Sequence, residues 1–198
     1  MDGLRERKKR ATRRAISDAA TELFMKKGFD NTSVVEIAEV VGVSPQTVLN
    51  YFPAKTNLFF DEHDWYAGPP QAVRDRRPRT SPTTAVREWY LADLQRRYGE
   101  GHLDGLAAFM QTIADSDTLR RRRLDDPAAL TDALRAALDD TSADGSAWER
   151  QLSAAILTSA IMVAESETAR LSHTLAGTEL LAAAQAAATA IFKRTARG

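Results

Sequence analysis

The sequence predicts an all-α protein: an N-terminal three-helix helix-turn-helix domain over residues 1–53, then a C-terminal helical bundle domain over residues 54–198 that dimerises. Three observations carry this expectation. Apolar residues recur at spacings of three and four almost throughout, and no segment shows the alternation of a half-buried strand. Near the N-terminus two short apolar stripes are separated by Gly42-Val43-Ser44. At the C-terminus, the segment 147–171 is apolar on more than one side and so needs cover from more than one neighbour.

Each element follows from its own punctuation. Ile16, Ala20, Leu23 and Phe24 line one face of a first helix, which Gly28 stops by offering a left-handed C-terminal residue at little steric cost. Val34, Ile37, Ala38 and Val41 line a second, which opens at Ser33 with Glu36 three residues on, the sequence of a capping box. Gly42 ends it. Ser44 then provides a cap oxygen, Pro45 fits the first turn because it has no N–H to leave unpaired, and Pro53 closes a third helix of roughly two turns. Residues 68–82, GPPQAVRDRRPRTSP, read as a loop because prolines break the pattern. Helical stripes return with Val86, Tyr90, Leu94 and Tyr98, then with Leu103, Leu106, Ala107, Met110, Ile113 and Ala114, then with Leu130, Leu134 and Leu138 behind an Asp126-Pro127 start. A loop over 139–146 leads to the last two helices.

Composition narrows the function classes. The chain has 198 residues, 43% of them hydrophobic, enough for a buried core, and no cysteine, which excludes a disulfide framework and thiolate metal sites. Formal net charge is zero, yet residues 1–55 hold ten Lys and Arg against seven Asp and Glu. Arg5, Arg7, Lys8, Lys9, Arg10, Arg13 and Arg14 form a basic arm, which suits a polyanion partner. No apolar stretch follows that arm as a secretory signal would require, and no run is long enough to span a bilayer, so a cytoplasmic protein without a membrane partner is expected. His63, His102 and His173 lack metal-ligand spacing, Arg120 to Arg123 are flanked by aspartates as on a solvated face, and the glycines of 99–105 follow no strand. No metal, cofactor or catalytic grouping is expected, and the chain does not read as an enzyme.

At about 100° per residue from Val48, Phe52 falls near 40° on the packed side, while Gln46 near 160°, Asn50 near 200° and Thr47 near 260° point away. This outward face is amide-rich and carries no charge. Amides pair two-fold with the N6 and N7 edge of adenine, and short hydroxyls reach bases or phosphates, so the unit suits a helix held in a major groove. Lys55 starts a fourth helix, where backbone N–H groups and the helix dipole draw a phosphate.

The stretch FMKKGFDNTSVVEIAEVVGVSPQTVLNYFPAKTNLF, residues 24–59, resembles the TetR family of transcriptional regulators in its Gly-Phe exit, Thr-Ser-Val before Ile-Ala, Gly-Val-Ser, and Tyr-Phe-Pro before Lys. The resemblance implies that Thr32 and Ser33 touch phosphate, that Ser44, Pro45, Gln46, Thr47, Asn50 and Tyr51 form the groove surface, and that Lys55 clamps the DNA backbone. Pro45-Gln46, Leu49 and Ala54 depart from the family pattern at positions that leave the target sequence open. It further implies a homodimer through the last two helices, double-stranded DNA with an inverted repeat as target, and an unidentified small-molecule effector that shifts the fourth helix.

For the dimer, the last helix offers Leu181, Ala184, Ala188 and Ile191 as a seam, alanines allowing close approach. The helix before it offers Leu152, Ile156 and Val163 on one side and Leu157, Ile161, Ala164 and Leu171 on another. Trp65, Tyr66, Trp89, Tyr90, Phe109, Met110 and Met162 are candidates to line an effector pocket. The resulting expectation is a sequence-specific, ligand-responsive repressor that binds a palindromic operator as a homodimer. The alternative is a helical adaptor that binds protein partners without DNA.

Overall fold

The computed structural model describes residues 3–60, 63–103, 105–141 and 145–195, and the side chains at 63–65 and 123–126 are not among those described. Among the described residues the regular structure is helical, with no strand: α1 (Leu4–Lys27), α2 (Val34–Val41), α3 (Pro45–Tyr51), α4 (Lys55–Phe59), α5 (His63–Arg74), α6 (Pro82–Gly99), α7 (Leu106–Asp115), α8 (Asp117–Thr141), α9 (Ala147–Leu171) and α10 (Gly177–Thr195). No described helix is long and apolar enough to cross a membrane. The chain forms two compact units, one of Met1–Glu62 with Gln111–Arg122, the other of His63–Met110 with Arg123–Gly198. The expected boundary at 53–54 falls inside the first unit, because Leu58 and Phe59 of α4 are buried there and Phe59 packs on Phe24 of α1 with ring centroids 5.8 Å apart.

In the first unit Ile16, Ala20, Phe24, Ile37, Ala38, Val48 and Phe52 form the buried interior shared by α1, α2 and α3. Phe24, Phe29 and Phe59 make an aromatic cluster, tilted at Phe24 and edge-to-face between Phe29 and Phe59, that ties α1, the α1–α2 corner and α4 together. The segment 111–122 adds Ile113 and Leu119, both buried, and Ser116, whose hydroxyl donates to Asp30 at 3.0 Å. The basic residues expected as an arm ahead of the first helix are part of α1 instead: Arg5, Arg7, Lys8, Lys9 and Arg10 lie exposed on its first turns. Arg and Lys are good helix formers, and nothing in LRERKKRATRR breaks the helix before Ile16.

The second unit is built on α6, α9 and α10, with α5 and the C-terminal part of α8 completing its core. The loop expected over 68–82 is shorter, because α5 continues through Pro69 and Pro70 to Arg74. Both prolines are buried, as is Val73, so the packing of this face offsets the donors the helix loses. Gly68 allows the approach, since a Cβ there would stand 2.3 Å from the Trp89 indole of α6. At its C-terminal end Arg76 donates to the Val73 and Thr141 carbonyls and Arg74 pairs with Asp140 at 3.0 Å, which fixes the end of α5 to the end of α8. Likewise Pro127 does not open a helix: it sits inside α8, which starts at Asp117, and the side chain of Asp126, its expected cap, lies outside the described residues.

A polar cluster interrupts this core. Arg97 of α6 grips Glu165 of α9 with two bonds, 2.7 and 3.2 Å, and Glu165 also accepts from the Tyr90 hydroxyl at 2.7 Å. Asp93 lies 2.9 Å from the Arg97 Nε but off the N–H axis, so that donor makes no hydrogen bond. Burial works against the Arg97 charge, and Glu165, Tyr90 and Asp93 outweigh it, holding the guanidinium more firmly protonated than an ordinary arginine. Burial, reinforced by the Glu165 charge, lifts the Tyr90 phenol well above its usual range.

The last two helices divide their apolar faces differently from the expectation. Leu181, Ala184 and Ala188 are buried within this chain's own core, where the small alanines let α10 lie close against α6 and α9, and Ile191 packs beside them. On α9 the two faces separate: Leu157, Ile161 and Ala164 are buried, whereas Trp148, Leu152, Ile156 and Val163 keep 67%, 51%, 36% and 53% of their surface exposed.

The α5–α6 contact gives a first prediction. Gly68→Ala should destabilise the protein by about 1 to 3 kcal/mol in thermal or denaturant unfolding, through overpacking against Trp89. An unchanged midpoint would mean that α5 and α6 spread to admit the methyl.

Candidate nucleic-acid interface

The site is α3 and what holds it. Ser33 caps α2 through a complete box: its Oγ accepts from the Glu36 N–H at 3.1 Å and its own N–H donates to the Glu36 carboxylate at 2.8 Å. The Lys27 ammonium donates to the same carboxylate at 2.6 Å. These contacts, Lys27 first and then Ser33, hold the Glu36 carboxyl at about 2, below its ordinary 4.5. Gly42 closes α2 at φ 75°, in the left-handed region that an L side chain adopts at a cost, and the turn is completed by the Val43 N–H on the Ala38 carbonyl. Ser44 caps α3 by accepting from the Thr47 N–H at 3.0 Å, with the two hydroxyls 2.8 Å apart.

Behind α3, Val48 and Phe52 are fully buried. Arg13 of α1, a residue named from sequence only as part of the basic arm, secures the far end: it donates to the Tyr51 carbonyl at 3.2 Å and lies 4.2 Å over the Phe52 ring. Its role becomes visible only once α1 crosses the end of α3. In front, Pro45, Gln46, Leu49 and Asn50 are exposed, and Thr47 and Tyr51 are half-buried. The Gln46 side-chain amide donates to the Asn50 side-chain Oδ1 at 3.1 Å, so the two amides form one unit on the outer face. Lys55 is half-buried at the first position of α4, its ammonium 4.2 Å over the Phe29 ring, and burial lowers its pKa while Asp30 and Glu36 oppose that shift. Ala54 gives α4 no side-chain cap.

Among the expected contact residues, Ser33, Ser44, Pro45, Gln46, Thr47, Asn50, Tyr51 and Lys55 all belong to this small assembly. Thr32 is corrected. It is buried, its hydroxyl donates to the Gly28 and Leu23 carbonyls and its N–H to the Phe29 carbonyl, so it closes the α1–α2 corner from within. A short hydroxyl next to a helix start can serve either purpose, and only the path of the corner decides.

The seven effector candidates have different surroundings. Tyr90 is committed to Glu165 inside the core, and Trp89 and Tyr66 are half-buried against that core. Phe109, Met110 and Met162 are half-buried, and the Trp65 side chain lies outside the described residues. A shallow open groove along α6 and α10 is lined by Leu91, Gln185, Ala186, Thr189, Ala190 and Lys193, none of them a candidate. Among the described residues no group of three His, Cys, Asp or Glu side chains converges as a metal site.

A capped helix, a left-handed glycine turn and a short second helix with its polar face outward define a helix-turn-helix protein. Comparison with known proteins specifies the class. The family model of bacterial regulatory proteins, tetR family, matches residues 16–61. The transcriptional regulator RutR of Escherichia coli (strain K12) is 30% identical over 150 residues, 74% of this chain and 66% of that protein. The regulator TcmR of Streptomyces glaucescens is 30% identical over 112 residues, 56% of this chain and 41% of that protein. These matches thus span between two fifths and two thirds of the relatives' own length. The fold as a whole is similar to that of NalD, the secondary repressor of the MexAB-OprM multidrug efflux pump in Pseudomonas aeruginosa, with a TM-score of 0.63 and 19% identity over 97% of both chains. A SmeT–triclosan complex aligns with the same TM-score and 16% identity over 94% of this chain and 90% of that one. The chain belongs to the TetR family of bacterial regulatory proteins.

The Glu36 contacts make the α2 cap sensitive to acid. A carboxyl whose folded pKa is depressed contributes stability above its ordinary pKa and loses it as pH falls through the folded value. The melting-temperature difference between the native chain and Glu36→Gln should therefore be full above about pH 4.5 and shrink toward about pH 2. A difference that stays constant over that range would remove Glu36 as the cause.

Proposed function

We propose that this protein is a ligand-responsive transcriptional repressor that binds an inverted-repeat operator as a homodimer in the cytoplasm. The observation that carries the proposal is the outer face of α3: uncharged, amide-bearing, exposed, and fixed from behind by Val48, Phe52 and Arg13. In this reading Gln46, Thr47 and Asn50 read base edges, Pro45 and Tyr51 border the groove, and Ser33, Ser44 and Lys55 position the DNA backbone. Ser33 and Ser44 retain a hydroxyl beside a helix start, and the exposed cations on the first turns of α1 add attraction that does not depend on sequence.

The second unit is the effector and dimerisation part. The exposed apolar face of α9, Trp148, Leu152, Ile156 and Val163, is assigned to the partner copy, since a contiguous apolar face on one helix marks an interaction surface. Two-fold symmetry places two reading helices about 34–36 Å apart and requires a palindromic target. Effector binding among the aromatic and Met side chains of this unit alters the spacing of the reading helices, and the triclosan complex of SmeT supports a small apolar molecule as the kind of effector to test first.

Selection from a random DNA pool tests the proposal directly, with an inverted repeat as the expected product. On that site Asn50→Ala or Gln46→Ala should cost about 1 to 3 kcal/mol and have little effect on random DNA. Lys55→Ala should weaken binding to all sequences and reduce the slope of log K against log salt by about one. If neither amide variant alters the selected sequence or its affinity, α3 is a solvated face rather than a reader.

The dimer has its own test. Leu152→Glu places a charge on an already exposed position, so the subunit should fold while sedimenting as a monomer, with affinity for the inverted repeat reduced by about a hundredfold or more through lost avidity. A dimer of undiminished stability would assign the interface elsewhere.

A further inference from the structure

The chemistry on α3 bears on which bases it reads. Direct recognition of guanine most commonly uses Arg or Lys on its O6 and N7, and recognition of cytosine uses Asp or Glu as acceptor for its N4 amine. The helix PQTVLNY supplies neither. Arg13, which packs against the end of α3, is engaged with Tyr51 and Phe52, and Lys55, which follows it in the chain, lies over Phe29.

Apart from the half-buried Thr47 and Tyr51, what α3 exposes is of two kinds. The amides Gln46 and Asn50 are joined at 3.1 Å. Beside them is an apolar strip: Pro45 is exposed and Leu49 keeps 37% of its surface open. At about 100° per residue Pro45, Leu49, Gln46 and Asn50 follow one another around one arc, near 60°, 100°, 160° and 200° from Val48. Leu49 rises about 4.5 Å from Gln46 and about 1.5 Å from Asn50 along the helix, and it is turned about 60° and 100° from them around it, so it lies to one side of the amide unit. Amide and apolar contacts therefore fall on neighbouring pairs. The major-groove partner of an apolar side chain is the C5 methyl of thymine, and the partner of a terminal amide is adenine.

We infer that the half-site read by α3 is made of A·T pairs, with Leu49 seated on a thymine methyl and the Gln46–Asn50 unit on the adjacent adenine. The inference rests on the DNA-reading role proposed above. Leu49 is then a specificity residue in its own right, because it registers a group that no hydrogen bond can report.

The experiment uses the full chain and the sequence it selects from a random pool. The pairs read by α3 are those whose preference relaxes in Gln46→Ala and Asn50→Ala. Those pairs should be A·T, and duplexes carrying deoxyuridine in place of thymidine there, which lack only the methyl, should bind about fourfold more weakly for each methyl contacted. Leu49→Ala should bind the thymidine and deoxyuridine duplexes equally, with an unchanged salt slope and circular dichroism spectrum. Leu49→Met, which keeps an apolar tip, should retain the discrimination. G·C pairs at the relaxed positions, or equal binding of both duplexes by the native chain, would overturn the inference while leaving DNA reading intact. A chain that selects no sequence overturns the reading role and this inference with it.

Discussion

A helix of seven residues does not persist by itself in water, because nucleation costs more than so few hydrogen bonds return. Everything attributed to α3 therefore depends on its back being buried. Val48 and Phe52 supply that burial, α2 supplies the wall, and α2 is itself only eight residues long and needs its capping box and its left-handed glycine. The chain of dependence ends in α1, whose buried stripe gives both short helices a common surface and whose Arg13 satisfies a carbonyl at the end of α3. The outer face of α3 buries none of its exposed amides in this assembly, which leaves Gln46 and Asn50 available for chemistry.

Most of this first unit was legible in the sequence because its signals are local. Ser33 with Glu36, Gly42, Ser44 with Pro45, and the stripes of α1 and α2 act within a few residues of one another, and the structure places all of them as expected. The outward position of Gln46 and Asn50 followed from helical geometry alone. Thr32 and Arg13 were not legible, since the first turns inward and the second reaches across 38 residues only because of how the corner between α1 and α2 is folded. Neither choice is written in the neighbouring residues.

In the second unit the misplaced signals were prolines and alanines. Pro69 and Pro70 lie inside a helix because packing outweighs a lost donor, a balance set by partners distant in sequence, and Pro127 also lies inside one. Leu181, Ala184 and Ala188 did form a close seam, but with helices of their own chain. Spacing identifies a seam and cannot say which copy it meets. The face that remained uncovered is on α9, where Leu152, Ile156 and Val163 had been separated from the buried set by their angle around the helix, with Trp148 continuing the same side.

The Arg97–Glu165 pair has a consequence for how α6 and α9 can move. Apolar surfaces slide past one another with small penalties, since one leucine does much the same work as another. A charge held by two bonds inside that surface does not. Moving α9 by one turn would break both bonds between Arg97 and Glu165, leaving Arg97 with only Asp93 of its own helix and Glu165 without its cation, and breaking a buried pair costs up to about 3 to 5 kcal/mol. The pair thus acts as an indexing pin: it permits one alignment of the two helices and separates it from its neighbours by a step. Rearrangement of this unit must either carry α6 and α9 together as one piece or pass through a discrete exchange of partners at Glu165.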